Sequence, residues 1–228
     1  MSEGLFITGT DTGCGKTEIT LGLMQALQQR GESVLGMKPV ASGAERTGDG
    51  LRNEDALRIQ AECSHQLAYE RVNPFAYAPA IAPHLAAESS GRAIDLDQIQ
   101  AEYRALSQLA DRLIVEGVGG WLVPLGADST VADLVLRLEL PVILVVGLRL
   151  GCINHALLTQ AAMQQSGVQV LGWVGNQVES GMDSLEGNLA TLRERLAGPC
   201  LGVVPWLEHP SPEVISRHLD ITSLLHSA

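Results

Sequence analysis

The sequence predicts an α/β fold of three layers: a doubly wound, mainly parallel sheet covered by helices on both faces. Three observations carry this. Short runs rich in Val, Ile and Leu recur along the chain, and they are continuous rather than alternating, as in strands buried on both faces. Stretches with the apolar spacing of helices separate these runs, the pattern of parallel strands joined by right-handed crossovers. Glycine, at 24 of 228 residues, outnumbers Trp (3), Tyr (3) and Phe (2) together, which suits many tight turns in one compact domain spanning 1–228.

The elements follow in order. Leu5–Thr8 is a β-prone run entering a Gly-rich loop, and Glu18–Arg30 then places Ile19, Leu23, Ala26 and Leu27 on one helical face before Gly31 ends it. Val34–Met37 reads as a second strand, followed by a polar Gly/Ser stretch and a helix over Asn53–Glu62, whose first residue is a good cap. Residues 73–92 carry Pro74, Pro79, Pro83 and Gly91, so an ordered surface excursion without regular elements, on the substrate side, is expected there. Helices at Leu96–Leu109, Val131–Leu138, Asn154–Gln165 and Leu185–Leu196 then alternate with strands at Leu113–Val115, Val142–Val146, Val170–Val174 and Leu201–Val204.

Composition removes several classes of function. The formal charge of −11 repels nucleic-acid phosphates and anionic lipid, so neither a nucleic acid nor a membrane is an expected partner. The apolar stretch Pro141–Leu148 is far short of the ~20 residues of a membrane span, and the first residues lack the basic start and apolar core of a signal peptide. A soluble, cytoplasmic protein is expected. The four cysteines, Cys14, Cys63, Cys152 and Cys200, are widely spread without a C-x-x-C pair, which reads as reduced thiols rather than a zinc site or disulfide framework.

The strongest local signal is Gly9-Thr10-Asp11-Thr12-Gly13-Cys14-Gly15-Lys16-Thr17, lying between the first strand and the first helix. Gly15-Lys16-Thr17 matches the end of a Walker A loop, with five residues rather than the usual four between Gly9 and Gly15. Backbone N–H groups and the positive end of the following helix make an anion cradle that suits ATP phosphates. Lys16 completes it as a point charge, and the Thr17 hydroxyl suits Mg²⁺. Cys14 reads as a small apolar filler.

Other candidates lie at strand ends, where doubly wound sheets gather ligands. Glu116 closes a buried strand and is followed by Gly117, Gly119 and Gly120, as expected of a carboxylate that holds Mg²⁺ directly or through water. Asp55 could be a second metal ligand or a stabiliser of a helix dipole, and spacing does not choose between them. Lys38 follows the second strand, with Ser42 nearby, as a clamp for charge developing on a transferring phosphoryl group. Both lysines are expected on solvent-facing loop ends. Gly147–His155 is a second glycine-rich passage from strand to helix, suited to a carboxylate, with His155 read as structural.

With these residues on the page, the chain resembles the dethiobiotin synthetase family, ATP-dependent ring-forming enzymes of biotin synthesis. The blocks that carry the resemblance are GTDTGCGKT (9–17), KPVASG (38–43), LRNEDAL (51–57), APHLAA (82–87), VEGVGGWLVPL (115–125), LPVILVVGLRLGCINHALLT (140–159), GWVGNQV (172–178) and VPWL (204–207). They run in family order over almost the whole chain. The resemblance implies the fold of P-loop nucleotide-binding proteins and a homodimer whose sites lie at the interface. It implies as substrates 7,8-diaminopelargonate (7,8-diaminononanoate), CO₂ and ATP, with Mg²⁺ as cofactor. CO₂ adds to one amine, ATP phosphorylates the carbamate to a carbamic-phosphoric anhydride, and the second amine closes the ring to give dethiobiotin, ADP and phosphate.

Carried over by position, the resemblance implies that Thr17, Asp55 and Glu116 hold Mg²⁺, while Lys16 and Lys38 are catalytic, stabilising phosphoryl and carbamate charge. The nucleotide is expected to meet Gly13, Cys14, Gly15, Lys16, Thr17 and Glu18, together with Asp55, Glu116, Gly117, Val118 and Gly119. Asn176, Gln177, Pro205, Trp206 and Leu207 would surround adenine, and Glu213 would approach the nucleotide. Thr12 and Ser42 are expected on the diamine or its carbamate, and the helix start Gly151, Cys152, Ile153 and Asn154 on the substrate carboxylate across the interface. Three positions depart from the family pattern: Cys14 for a small aliphatic residue, Arg149 for lysine, and Asn188 where an aromatic near the substrate tail is expected. The alternatives are a P-loop switch ATPase or a related amidoligase. The acidic surface and a tail, 221–228, without Lys or Arg speak against the first, and nothing resembling an attached glutaminase domain accompanies the second.

Overall fold

The computed structural model describes residues 3–224. Its elements run β1 (Glu3–Gly9), α1 (Lys16–Gln28), β2 (Val34–Met37), β3 (Val40–Ser42), β4 (Glu45–Thr47), β5 (Gly50–Arg52), α2 (Glu54–Glu62) and α3 (Tyr69–Val72). Then come β6 (Phe75–Tyr77), α4 (Pro83–Ser90), α5 (Leu96–Leu106), β7 (Arg112–Glu116), α6 (Val131–Leu138), β8 (Val142–Leu148) and α7 (Cys152–Ser166). The chain ends with β9 (Val170–Gln177), α8 (Leu185–Arg195), β10 (Cys200–Val204), α9 (Pro212–Ser216) and a 3₁₀ turn at Thr222–Leu224.

Six strands form one sheet in the order β10-β9-β8-β1-β7-β2, and every neighbouring pair is parallel. The connection from β1 to β2 runs one way along this order and those from β7 through β10 run the other. Right-handed crossovers therefore put α1 on one face and α6, α7 and α8 on the opposite one. The packing agrees: α1 lies against α2 and α9, while α6 touches α5 and α7, and α7 touches α8. The direction reverses at β1, so the crevice beyond the carboxyl ends of β1 and its neighbours is the topological switch point.

The pattern of burial explains the strands. All seven residues of β8 are buried, as are Leu5–Gly9 of β1 and Leu113–Glu116 of β7, so a continuous apolar run was the right signature. Helix α6 starts with a capping box between Thr130 and Asp133 and buries Val131, Ala132, Leu134, Val135 and Leu138. Among the described residues no helix is long and apolar enough to cross a membrane.

The expected long elements all form, with ends shifted. Helix α1 begins at Lys16 rather than Glu18, and α7 at Cys152 rather than Asn154, because Gly15 and Gly151, with φ of 92° and 94°, let the loops turn straight into helix. Residues 73–92 are a correction. In place of an irregular excursion they contain β6, which pairs in parallel with β3, and α4, which starts at Pro83. Pro83 occupies the first helical turn, where a missing N–H is harmless, so a residue read as a breaker is a starter. The stretch between β2 and α2 likewise holds β3 and the β4–β5 hairpin, both too short to show a period. Residues 225–228 of the tail lie outside the described residues.

Candidate functional site

A cavity of about 710 Å³ opens at the carboxyl ends of β1, β2 and β7. Its first wall is the loop after β1. Gly15 can leave that loop only in the left-handed region, and a Cβ there would lie 2.0 Å from the Asn176 side-chain nitrogen. Asn176 also donates to the Cys14 carbonyl at 3.1 Å, which fixes the loop from β9. On the other side β8 approaches so closely that a Cβ on Gly147 would come within 3.0 Å of the Cys14 Cβ. Cys14 is fully buried in that contact, as a small filler. The Arg149 guanidinium donates to the Asp11 carboxylate, so its arginine reaches the loop from the end of β8.

Lys16 and Thr17 occupy the first helical positions of α1. Lys16 is 7% exposed, and its ammonium donates to the Asp11 carbonyl at 2.8 Å. The Thr17 hydroxyl donates to Glu116 Oε1 at 2.9 Å. Glu18 lines the cavity edge and is held by Arg58 of α2 through two bonds of 2.5 and 2.8 Å.

The second wall gathers Lys38 from the end of β2, Ser42 from β3, Asp55 from α2 and Glu116 from β7. Lys38 is only 4% exposed, so the expectation of two solvent-facing lysines is corrected: helix α1 and the sheet enclose both. Its ammonium lies between the two acids, donating to Glu116 Oε1 and standing 3.1 Å from Asp55 Oδ2. Burial alone would lower the Lys38 pKa, but the charges and hydrogen bonds of Glu116 and Asp55 outweigh it and hold the group above its ordinary value. Burial would raise the Asp55 pKa, but Lys38, with a bond from Thr17, brings it below the usual carboxylate value.

Two buried acceptors converge here unused. Glu116 Oε2 and the Ser42 hydroxyl have no hydrogen-bond partner among the described residues, although Glu116 is fully buried. A buried oxygen without a partner is unfavourable unless something else occupies the space. Asp55, Glu116 and Thr17 supply hard oxygen donors of the kind that hold a small divalent cation when phosphate and water complete the shell. No group of three or more His, Cys, Asp or Glu forms a metal cluster among the described residues.

Of the other expected residues, Thr12, Gly13, Val118 and Gly119 line the cavity. Gly117 is buried against Phe6 behind it. Gln177 accepts from the Trp206 N–H at 3.3 Å, which joins β9 to the Pro205–Leu207 segment outside the lining. Glu213 pairs with Arg217, and the Gly151–Asn154 helix start and Asn188 also lie away from the cavity. Ala80 to Pro83 line the cavity, as expected of a stretch on the substrate side, with the turn-and-proline pattern at 79–83 as the signal, while sequence reasoning missed Asn53, Val123 and Pro124.

A second cavity of about 650 Å³ lies at the opposite, amino ends of β1 and β7. Two of its arginines are already engaged, Arg112 with Glu3 and Glu32, and Arg137 with Asp97. It lacks the unpartnered oxygens of the first.

A family model described as an AAA domain matches residues 3–214. The chain is 50% identical over 98% of both chains to the ATP-dependent dethiobiotin synthetase BioD of Cellvibrio japonicus. It is 52% identical over 96% of both chains to that of Pseudomonas aeruginosa. The chain belongs to the dethiobiotin synthetase family. Among solved structures, it resembles the septum site-determining protein MinD of Pyrococcus horikoshii, complexed with Mg-ADP, at TM-score 0.59 and 16% identity over 100% of this chain and 90% of that one. FtsY of Thermotoga maritima gives TM-score 0.51 and 16% identity over 95% and 68%. At that identity these two establish the fold of P-loop nucleotide-binding proteins, and the family is set by the synthetases.

Proposed function

We propose that the protein is an ATP-dependent dethiobiotin synthetase, one domain that joins CO₂ to 7,8-diaminopelargonate and closes the ring with release of ADP and phosphate. The observation that carries this is the convergence of Lys16, Thr17, Lys38, Ser42, Asp55 and Glu116 on one cavity, in a chain half identical throughout to synthetases of that name. The same identity favours this reading over a switch ATPase or an amidoligase.

The chemistry has three steps. A neutral amine attacks CO₂ and loses a proton to water, giving a carbamate. A carbamate oxygen attacks the γ-phosphorus of ATP, ADP leaves, and the carbamate gains a leaving group. The second amine attacks the carbamate carbon, the C–O bond to phosphate breaks, and a cyclic urea remains. The mixed anhydride must be kept from water, which suits a cavity with Val123, Pro124 and Ile81 in its walls.

The side chains divide this work. Lys16, held by the Asp11 carbonyl and a 3.9 Å contact to the Cys14 sulfur but by no carboxylate, can exchange those contacts for a phosphate oxygen. Lys38 brings a fixed positive charge to the carbamate and the transferring phosphoryl group. The Ser42 hydroxyl, without a hydrogen-bond partner among the described residues, supplies a hydrogen bond to the diamine or its carbamate. Thr17, Asp55 and Glu116 would hold Mg²⁺, which when bound neutralises phosphate charge. Asn176, Gln177 and Pro205–Leu207 would receive adenine. In a homodimer, the start of α7 at Gly151–Asn154 would meet the substrate carboxylate bound in the partner, since a helix start favours an anion and Leu150 beside it is 95% exposed.

The test is phosphate release from MgATP and bicarbonate with and without 7,8-diaminopelargonate, alongside mass detection of the cyclic urea. Release that depends on the diamine and yields dethiobiotin is the expected result. Hydrolysis independent of the diamine, with no urea, would instead mark a switch ATPase.

A further inference from the structure

The second wall is assembled from segments far apart in sequence, and one short turn of helix is bonded to two of them, Lys38 and the start of α2, and through Asn53 to a third, Ser42. Helix α3 and the residue after it, Asn73, lie behind the cavity. The Tyr69 hydroxyl accepts from the Asn53 N–H at 2.7 Å and donates to Asn73 Oδ1 at 2.8 Å. Asn73 Nδ2 in turn donates to the Lys38 carbonyl at 2.6 Å, while the Lys38 N–H donates to the Val72 carbonyl at 2.8 Å. Lys38 is thus gripped through both its backbone groups. Asn53 caps α2 by accepting from the Ala56 N–H at 3.2 Å, and its amide donates to the Ser42 carbonyl at 3.4 Å.

These bonds form one buried chain. Tyr69 is 5% exposed, Asn73 2% and Asn53 8%, so water does not compete for them. Arg52 stacks on the Tyr69 ring at 4.2 Å from its centre and holds the ring in place. None of the three side chains in the relay is charged, and Tyr69 and Asn73 do not line the cavity. Their only outlet is the position of Lys38, the α2 start carrying Asp55, and Ser42.

We propose that Tyr69 and Asn73 are positioning residues, a neutral relay that sets the Lys38 ammonium against the Asp55 carboxylate and so fixes the phosphoryl-transfer geometry. The inference rests on the synthetase reading of the cavity. Side chains that fix a reacting group need not touch substrate, since a displacement of about 1 Å at a charged group costs on the order of a hundredfold in rate. The relay should therefore act on turnover and on the nucleotide bound with its cation, and less on the nucleotide alone.

The experiment uses Tyr69→Phe, which removes one oxygen and keeps the stacked ring, and Asn73→Asp, which keeps an acceptor for Tyr69 but removes the donor to Lys38. Val135→Ala, in α6 on the far face, serves as a core variant that loses stability without touching the relay. Diamine-dependent turnover should fall about tenfold or more in each relay variant with KM for ATP within about twofold, and the double variant should add little to either. Calorimetry should show the gain in ADP affinity on adding Mg²⁺ shrinking several-fold in both variants and unchanged in Val135→Ala. Turnover that tracks only the folded fraction, as in Val135→Ala, together with an unaltered Mg²⁺ increment, overturns the relay. If the wild-type protein shows no diamine-dependent turnover, the synthetase reading falls, while calorimetry still decides the relay.

Discussion

The two walls of the cavity are built in opposite ways. The first is one uninterrupted stretch, Gly9–Thr17, whose backbone is shaped by Gly15 and clamped from behind by Asn176 and Gly147. The second takes Lys38, Ser42, Asp55 and Glu116 from four elements and joins them by side-chain contacts. The first wall holds its lysine by the Asp11 carbonyl and a long 3.9 Å contact to the Cys14 sulfur, and the second encloses its lysine between two acids. Charge on the first wall is therefore available at little structural expense, whereas charge on the second is part of what holds the fold together.

The sharpest way to break this comparison is to remove each lysine. Lys16→Ala and Lys38→Ala should each lower turnover on the order of 10²–10³-fold, the effect of deleting a charge aimed at a transition state. Their stabilities should differ. Lys16→Ala leaves no buried partner stranded, so its melting should stay close to the wild type. Lys38→Ala leaves Glu116 fully buried without its cation, which costs about 3–5 kcal/mol. Urea unfolding would measure this, and equal stability in the two variants would contradict the division between the walls.

A second change sharpens it. In Lys38→Ala/Glu116→Gln the stranded charge is gone, so most of the stability should return while turnover stays low. Recovery of both would place Lys38 outside the chemistry.

Asn53→Ala probes the join between segments. Loss of the cap of α2 should destabilise by about 1 kcal/mol. It should also raise the Mg²⁺ concentration needed for half-maximal activity, since Asp55 sits in the first turn of that helix. Asp95→Ala, at the cap of α5 away from the site, should show a similar loss of stability and no change in Mg²⁺ requirement.

The smallest effect concerns the far end of α2. Burial pushes the Cys63 thiol up to about 11, and its sulfur accepts from the Gly36 N–H at 3.3 Å, tying α2 to β2. A thiol pKa raised in the folded state contributes stability that is complete below its unfolded value near 9.0 and is lost as pH rises towards about 11. The difference in melting temperature between the wild type and Cys63→Ala should be constant from pH 7 to 8.5 and then narrow. A constant difference up to pH 11 would show that the thiol has the same pKa folded and unfolded, so that burial does not raise it.

These contrasts also show what was legible in the chain. The Gly15-Lys16-Thr17 wall could be read because its residues are adjacent and its glycines have a local conformational role. Glu116 and Lys38 could be placed because a strand end in a doubly wound sheet points to the crevice. Asp55 could not be decided by spacing, since the first turn of any helix favours an acid; its contact with Lys38 is made across the fold. Residues 73–92 were misread because Pro83 marks either a break or a helix start, and only its neighbours in space distinguish them. Tyr69 and Asn73 carry no local signal, being the first residue of a four-residue turn of helix and the residue that follows it.

The sequence by itself determined the alternation of the six long strands with the long helices, and the phosphate-type loop, because the apolar patterns and glycines that mark them are read within a few positions; the parallel sheet followed from those continuous apolar runs. The tertiary structure alone decided that both lysines are buried, that Lys38 is shared between two carboxylates and that one turn of helix holds three segments in register. Those features depend on contacts between residues as far apart as Lys38 and Glu116, and on the low dielectric of an enclosed cavity, which exists only once the chain has closed around it.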